Sequence, residues 1–204
     1  MTPTRVLLAV ATAVALGGCL FRATDAPRFY RPASVALDAA DDDDAPPPAS
    51  GTPVRLHSVK SAPFLRERMV WRSSDVEYGL YEQRRWFELP TRYVRRALAT
   101  ALDDTPGVRV GDAHAPARLD VEILAFDEVL HAHHAHVVLA VTVRNGTETR
   151  LDRTFAAEAP IGGDDGAAVA EAMGRALDEV VKEIATATAR TLGTPAADAR
   201  RTKR

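Results

Sequence analysis

The sequence predicts an α+β fold: a mixed, largely antiparallel sheet of about five strands, with two amphipathic helices packed on one face. Three patterns carry that prediction. Leu119, Val121 and Ile123 alternate with Asp120 and Glu122, the two-residue period of a strand with one wet side. Val94, Leu98, Ala101 and Leu102 fall at helical spacing, and so do Val169, Met173, Leu177, Val180 and Ile184. Arg144-Asn145-Gly146-Thr147 supplies the Asn-Gly step of a tight hairpin.

The chain opens with one cationic side chain, Arg5, followed by an uncharged run from Val6 to Leu16 and then Gly17-Gly18-Cys19. A bilayer span needs about 20 apolar residues, so this run is too short to cross; it fits the core of a secretory signal over residues 1–18. Cys19 is the only cysteine, so no disulfide forms within the chain. A small-residue pair followed by cysteine resembles the lipobox of bacterial lipoproteins. That resemblance implies acylation of Cys19, palmitate being such a chain, and cleavage just before it. The alternatives are an ordinary secretory signal with an incidental cysteine, or a buried thiol. An unpaired thiol is a liability in an oxidising compartment, and a thioether removes it. Several acyl chains give stable anchoring where one gives marginal binding. Leu20 stands where an aspartate often retains such proteins at the inner membrane, which favours the outer membrane with the domain facing the periplasm.

Residues 19–53 read as a flexible tether. Asp41 to Asp44 is an unbroken acidic run followed by Pro46 to Pro48, and like charges and prolines keep a backbone extended. Such a segment would hold the domain off the membrane. Phe29-Tyr30 is a pair of aromatics that a plain linker does not need. The folded domain is expected over 54–192. Val54 to Lys60 reads as its first strand, with a break at Pro63; Met69 to Arg72 and Val76 to Tyr81 follow. Pro90 suits the first turn of a helix, which Thr105-Pro106-Gly107 ends. Leu119 to Ile123 and Val137 to Val143 are strands, the latter more continuously apolar and so central. The return strand runs from Glu148 to Ala157. Asp164-Asp165 suits the start of the last helix, Gly166 to Leu192. Residues 193–204 form a basic tail holding Arg200, Arg201, Lys203 and Arg204, read as a solvated terminus.

The formal charge of −2 is close to balance and no face is evidently basic, which argues against a nucleic-acid partner. Catalysis finds no constellation either. No serine lies in a glycine-flanked elbow, Gly162-Gly163 lacks a following lysine, and Asp103-Asp104 and Asp164-Asp165 sit at helix ends. The chain is therefore read as a non-enzyme without a cofactor. His131, His133, His134 and His136 invite a metal reading. Alternation in a strand splits them, leaving at best His134 and His136 as a weak pair. Exposed histidines at a hairpin are the preferred reading.

Arg72-Ser-Ser-Asp-Val-Glu-Tyr78-Gly79-Leu80-Tyr81, then Arg85-Trp86, then Pro90 opening a helix, resembles the ABC-type transport auxiliary lipoproteins. Within these it is similar to the PqiC-like proteins that accompany MCE-domain lipid transporters. Leu119 to Phe126 and Ala167 to Leu192 match the family's order of elements, and Phe29-Tyr30 corresponds to an aromatic pair after the anchor. The acidic-proline insert and the histidine-rich hairpin depart from it. The resemblance implies a non-enzymatic lipoprotein docking an envelope-spanning MCE assembly and its ABC transporter, with a homo-oligomeric ring and bound lipid as further expectations. Tyr81 and Trp86 are the candidate partner contacts, with packing of Trp86 under the first helix as the simpler reading. An envelope assembly lipoprotein and a periplasmic metal-binding lipoprotein are the alternatives.

Overall fold

The computed structural model describes residues 26–40 and 50–193. Its elements run β1 (Arg28–Tyr30), α1 (Val35–Ala40), β2 (Gly51–Ser61), β3 (Arg68–Arg72), β4 (Tyr78–Trp86) and α2 (Pro90–Asp103). They continue as β5 (Gly107–Val110), β6 (Ala117–Val129), β7 (His134–Asn145), β8 (Glu148–Pro160) and α3 (Gly166–Gly193). The class is α+β as expected, but the sheet has eight strands rather than about five. It is also more evenly mixed than expected. The β1/β4, β2/β5, β2/β6 and β3/β6 pairs are parallel, and β3/β4, β6/β7 and β7/β8 are antiparallel. The unexpected strands, β1 and β5, have three and four residues. Segments that short carry too little alternation to be read from side chains alone.

Strand β6 organises the sheet. Along one edge its first part pairs with β2, from Val54↔Ala117 to Ser61↔Ile123, and its last residues pair with β3, from Val70↔Asp127 to Arg72↔Val129. The chain therefore leaves that edge after Ser61, turns through Pro63, and returns to the same edge in the same direction. Along its other edge β6 pairs with β7 throughout, apart from a bulge between Ile123 and Ala125. That extra residue reverses the parity of the strand. Leu119, Val121 and Ile123 face inward before it, Phe126 after it.

The inward face of β7, from Ala135 to Val143 at every second residue, is buried. Helix α3 packs on β7 and β8, α2 on β2 and β5, and the two helices on each other. Both helical stripes read from the sequence are core. Pro90 stands in the first turn of α2. The Asp165 carboxylate accepts from the Ala168 amide at 2.8 Å, capping α3. Gly107 has a φ of +93°, a left-handed value that suits glycine where α2 gives way to β5. The β7–β8 hairpin turns on Gly146 and Thr147, with only Gly146 at positive φ (+59°), the pattern of a turn with glycine first. Asn145 is the last residue of β7, not a turn residue.

The tether expected over 19–53 is not what the structure shows for 28–40 and 51–53. Residues 51–53 begin β2, and 28–40 form an arm bound to the domain. β1 pairs with β4 through Phe29↔Arg85 and Tyr30↔Trp86. Leu37 is fully buried. The Ser34 hydroxyl donates to Asp178 of α3 at 2.5 Å, and Asp178 also accepts from the Val35 and Ala36 amides at 2.9 and 3.2 Å. One carboxylate from a distant helix thus caps α1. The Ala33 amide donates to the carbonyl of Ala170 at 3.2 Å. The arm lies so close to α3 that a Cβ on Gly174 would stand 1.8 Å from the Ala33 carbonyl oxygen. Cys19, Asp41 to Asp44, Pro46 to Pro48 and the basic tail lie outside the described residues.

Gly174→Ala is accordingly expected to displace the arm and cost about 2 kcal/mol in urea denaturation, with faster proteolysis between Tyr30 and Leu37. Gly162→Ala, where an added Cβ meets nothing within 4 Å, is the control and should stay within about 0.5 kcal/mol. Equal stabilities for the two variants would show that the contact at Gly174 is not tight.

Candidate functional site

After the bulge in β6, Asp127 points to the outer face of the sheet and Glu128 to the inner, both buried (1% and 5% exposed). Neither was singled out in the sequence, where they look like the wet positions of an ordinary strand. Buried carboxylates cost several kcal/mol each unless they are paired, and each of these meets an arginine, Asp127 from the adjacent β3 and Glu128 from β4 beyond it.

On the outer face, Arg72 Nε stands 3.0 Å from Asp127 Oδ2, an ion pair whose atoms are not aligned as a hydrogen bond. Arg72 Nη2 lies 3.1 Å from His136 Nδ1. A guanidinium can only donate, so His136 Nδ1 accepts and the ring proton of the neutral imidazole sits on Nε2, 3.8 Å from Glu158. The same Nδ1 is 3.4 Å from Asp127 Oδ1, a poorer contact that cannot be a hydrogen bond in this tautomer. On the inner face, the Tyr81 hydroxyl donates to Glu128 Oε2 at 2.9 Å, and Arg84 Nη1 lies 3.7 Å from the same oxygen. The Arg84 guanidinium also stands 4.4 Å from the Tyr81 ring centroid. Burial, reinforced by the Glu128 carboxylate, pushes the Tyr81 phenol from 10.0 up to about 12.

Trp86 is 2% exposed and packs edge-on against Phe126 and Tyr93, with ring centroids 5.3 and 6.3 Å away. It joins β4, β6 and α2, the packing role considered for it. As placed, it offers no surface to a partner. The Tyr93 hydroxyl accepts from the Glu88 amide at 2.8 Å, which ties the residues before α2 to its first turn. Burial is the main cause of a raised Tyr93 phenol pKa.

The histidines divide differently from the expected alternation. His131 and His133 lie in the four-residue turn between β6 and β7, with His133 at a φ of +53°. His134 and His136 share the outer face of β7, and His136 is engaged by Arg72 as described. Among the described residues no group of three or more His, Cys, Asp or Glu side chains is arranged to hold a metal ion. Further along the same face Asp120 accepts from Ser58 at 2.8 Å and lies 2.7 Å from His57 Nδ1. Burial works to raise the Asp120 pKa, but the bonds to His57 and Ser58, with Arg118 nearby, outweigh it and hold the carboxyl below its usual value. Among the described residues no helix is long and apolar enough to cross a membrane.

This arrangement is a framework of paired charges on an open α+β sheet. The model of the ABC-type transport auxiliary lipoprotein component matches residues 36–185, and the chain belongs to that family. Membership makes it an auxiliary component of ABC-type transport and associates it with the cell envelope. The fold is shared with protein XCC0632 from Xanthomonas campestris, a structure ascribed to the DUF330 family model, at a TM-score of 0.67 and 20% identity. That match covers 81% of this chain and 97% of the other. An uncharacterised protein matches with a TM-score of 0.59 and 14% identity, over 82% and 99% of the two chains. Likenesses at these identities speak to fold alone. No curated protein matches the chain by sequence.

Two measurements check the inner pair. Tyr81→Phe is expected to cost about 2 kcal/mol, as for a hydrogen bond to a charged acceptor. It should also abolish the phenolate absorbance that develops last, near pH 12. The unfolded chain ionises this phenol first, so stability should fall as pH rises from about 10 towards 12, and less so in the variant. An unchanged absorbance titration would show that Tyr81 is not the late group.

Proposed function

We propose that the protein is a PqiC-like lipoprotein, acylated at Cys19 and anchored in the outer membrane facing the periplasm. There it serves as a non-enzymatic docking component of an MCE-type ABC system that moves lipid between the two membranes. The family match over residues 36–185 carries this reading. Three features of the sequence support the finer parts. Cys19 follows an apolar run too short to span and a Gly-Gly pair, Leu20 replaces an inner-membrane retention aspartate, and Arg72, Tyr81, Trp86 and Pro90 stand in the order of the PqiC-like string.

The described surface fits a docking role. The outer face of the sheet carries Lys60, Glu122, Thr142 and Arg144 around a shallow depression, and the buried charges of β6 are already matched by neighbours. A wide, rigid sheet with mixed polarity suits recognition by another protein better than enclosure of a small molecule. Self-association into a ring and contact with lipid belong to the same proposal.

Pull-down of the lipidated protein from cross-linked envelopes is expected to recover an MCE-domain subunit, and with it the ABC transporter. Repeated recovery of a β-barrel assembly partner alone would favour an envelope assembly lipoprotein instead. Cys19→Ser should leave the unprocessed or soluble chain outside the outer-membrane fraction.

A further inference from the structure

The arm changes where the membrane must lie, granted the reading of Cys19 as the lipid anchor. The described chain starts at Ala26, seven residues after Cys19. Seven fully extended residues span at most about 25 Å. Ala26 and Pro27 then lead straight into β1, which is held on β4. The anchor is therefore leashed to this edge of the sheet.

Beside that edge stand side chains unusual for a solvated surface. Phe29 is 57% exposed, Phe87 72% and Leu89 41%. The Phe87 amide donates to the Tyr30 carbonyl at 2.8 Å, so Phe29-Tyr30 and Trp86-Phe87 run side by side. One member of each pair turns inward: Tyr30 packs where a Cβ on Gly166 would touch its ring, and Trp86 enters the core. Alternation sends their neighbours Phe29 and Phe87 the other way. The inner aromatics thus fix the backbone from which the outer ones project. Arg28, next to Phe29 in the chain, and Arg92, in the first turn of α2, are both exposed. Aromatic rings with adjacent cations match the chemistry of a headgroup layer, apolar just below and anionic at the surface.

We propose that the rim formed by Phe29, Phe87 and Leu89, with Arg28 and Arg92, rests in the headgroup layer of the bilayer that carries the anchor. The occupant of this apolar patch is that lipid surface. The contact fixes the domain's orientation, with the β1 edge down and the β7–β8 hairpin away. β1 and β8 stand at opposite ends of the strand order β1-β4-β3-β6-β7-β8, five strand spacings or about 24 Å apart across the sheet.

The mature lipidated chain, in vesicles of phosphatidylethanolamine and phosphatidylglycerol, tests this with nitroxide labels on Phe29→Cys, Phe87→Cys and, as reference, Thr147→Cys. The thioether at Cys19 leaves the introduced thiol as the site of labelling. Labels at positions 29 and 87 are expected to show a several-fold higher ratio of oxygen to aqueous nickel-chelate collisions than the label at 147. Equal ratios at all three positions on vesicle-bound protein would overturn the proposed contact while leaving the anchor intact. Failure of every form to float with the vesicles would overturn the anchor reading, and this proposal with it. Both phenylalanines are exposed, so the two labelled variants check each other against loss of fold.

Discussion

The constraint on which the rest depends is the division of one edge of β6 between two strands. Because β2 and β3 share that edge end to end, the chain between them must leave the sheet and return in line, and β6 must remain continuous beneath the gap. The bulge at Leu124 falls beside this junction. It shifts the inward positions by one, so Glu128 points into the domain and Asp127 away from it. Without the shift, Asp127 would enter the core and Phe126 would face solvent. The shift thus decides which arginines the fold needs. Arg72 comes from the strand that β6 recruits after the gap, Arg84 from the strand hairpinned to it. Burying a carboxylate is costly and removing its partner more costly still, so the ion pairs tie β3 and β4 to β6 where regular ladder bonding is shortest.

This gives the family-like string a physical meaning. Arg72 pairs with Asp127, Tyr81 with Glu128, Trp86 fills the junction of β4, β6 and α2, and Pro90 starts α2. Each has a structural task. A string made of such residues marks a fold strongly and a binding surface weakly. Family membership rests on the match over residues 36–185, whereas a contact with a partner has to be sought among exposed residues, of which the string itself holds Val76, Tyr78 and Leu80.

The same distinction explains what was legible in the sequence. Long periodic segments were: both helical stripes and strands β6 and β7 follow from side-chain period, since each must bury one face, while Pro90 marks the start of α2 and the Asn145-Gly146 step the return into β8. Interruptions were not. The bulge at Leu124 changes no residue type, so nothing in the sequence marks Asp127 and Glu128 as buried. β1 and β5 are held by pairing with distant strands, a tertiary cause that three or four side chains do not announce. The histidines were legible as residues of a hairpin: His131 and His133 are exposed in the β6–β7 turn, and His134 and His136 share one face of β7. What the sequence did not announce is the engagement of His136 by Arg72.

The arm also reverses the sense of the acidic-proline segment. Asp41 to Asp44 and Pro46 to Pro48 fall between α1, whose Leu37 is buried, and β2, which begins at Gly51. Both flanks are fixed to the same domain, so whatever length this segment has, it adds nothing to the distance between the domain and residue 19. With Cys19 as the proposed anchor, that distance is set by the residues from Cys19 to Ala26. A domain on a long leash samples many orientations and meets a partner by diffusion; one on a short leash presents nearly the same face each time. If the protein docks an assembly crossing the envelope, as proposed, the second arrangement lowers the orientational cost of association. On the same proposal the glycines that let the arm lie down on α3, Gly166 and Gly174, are as much a part of the anchoring device as the cysteine.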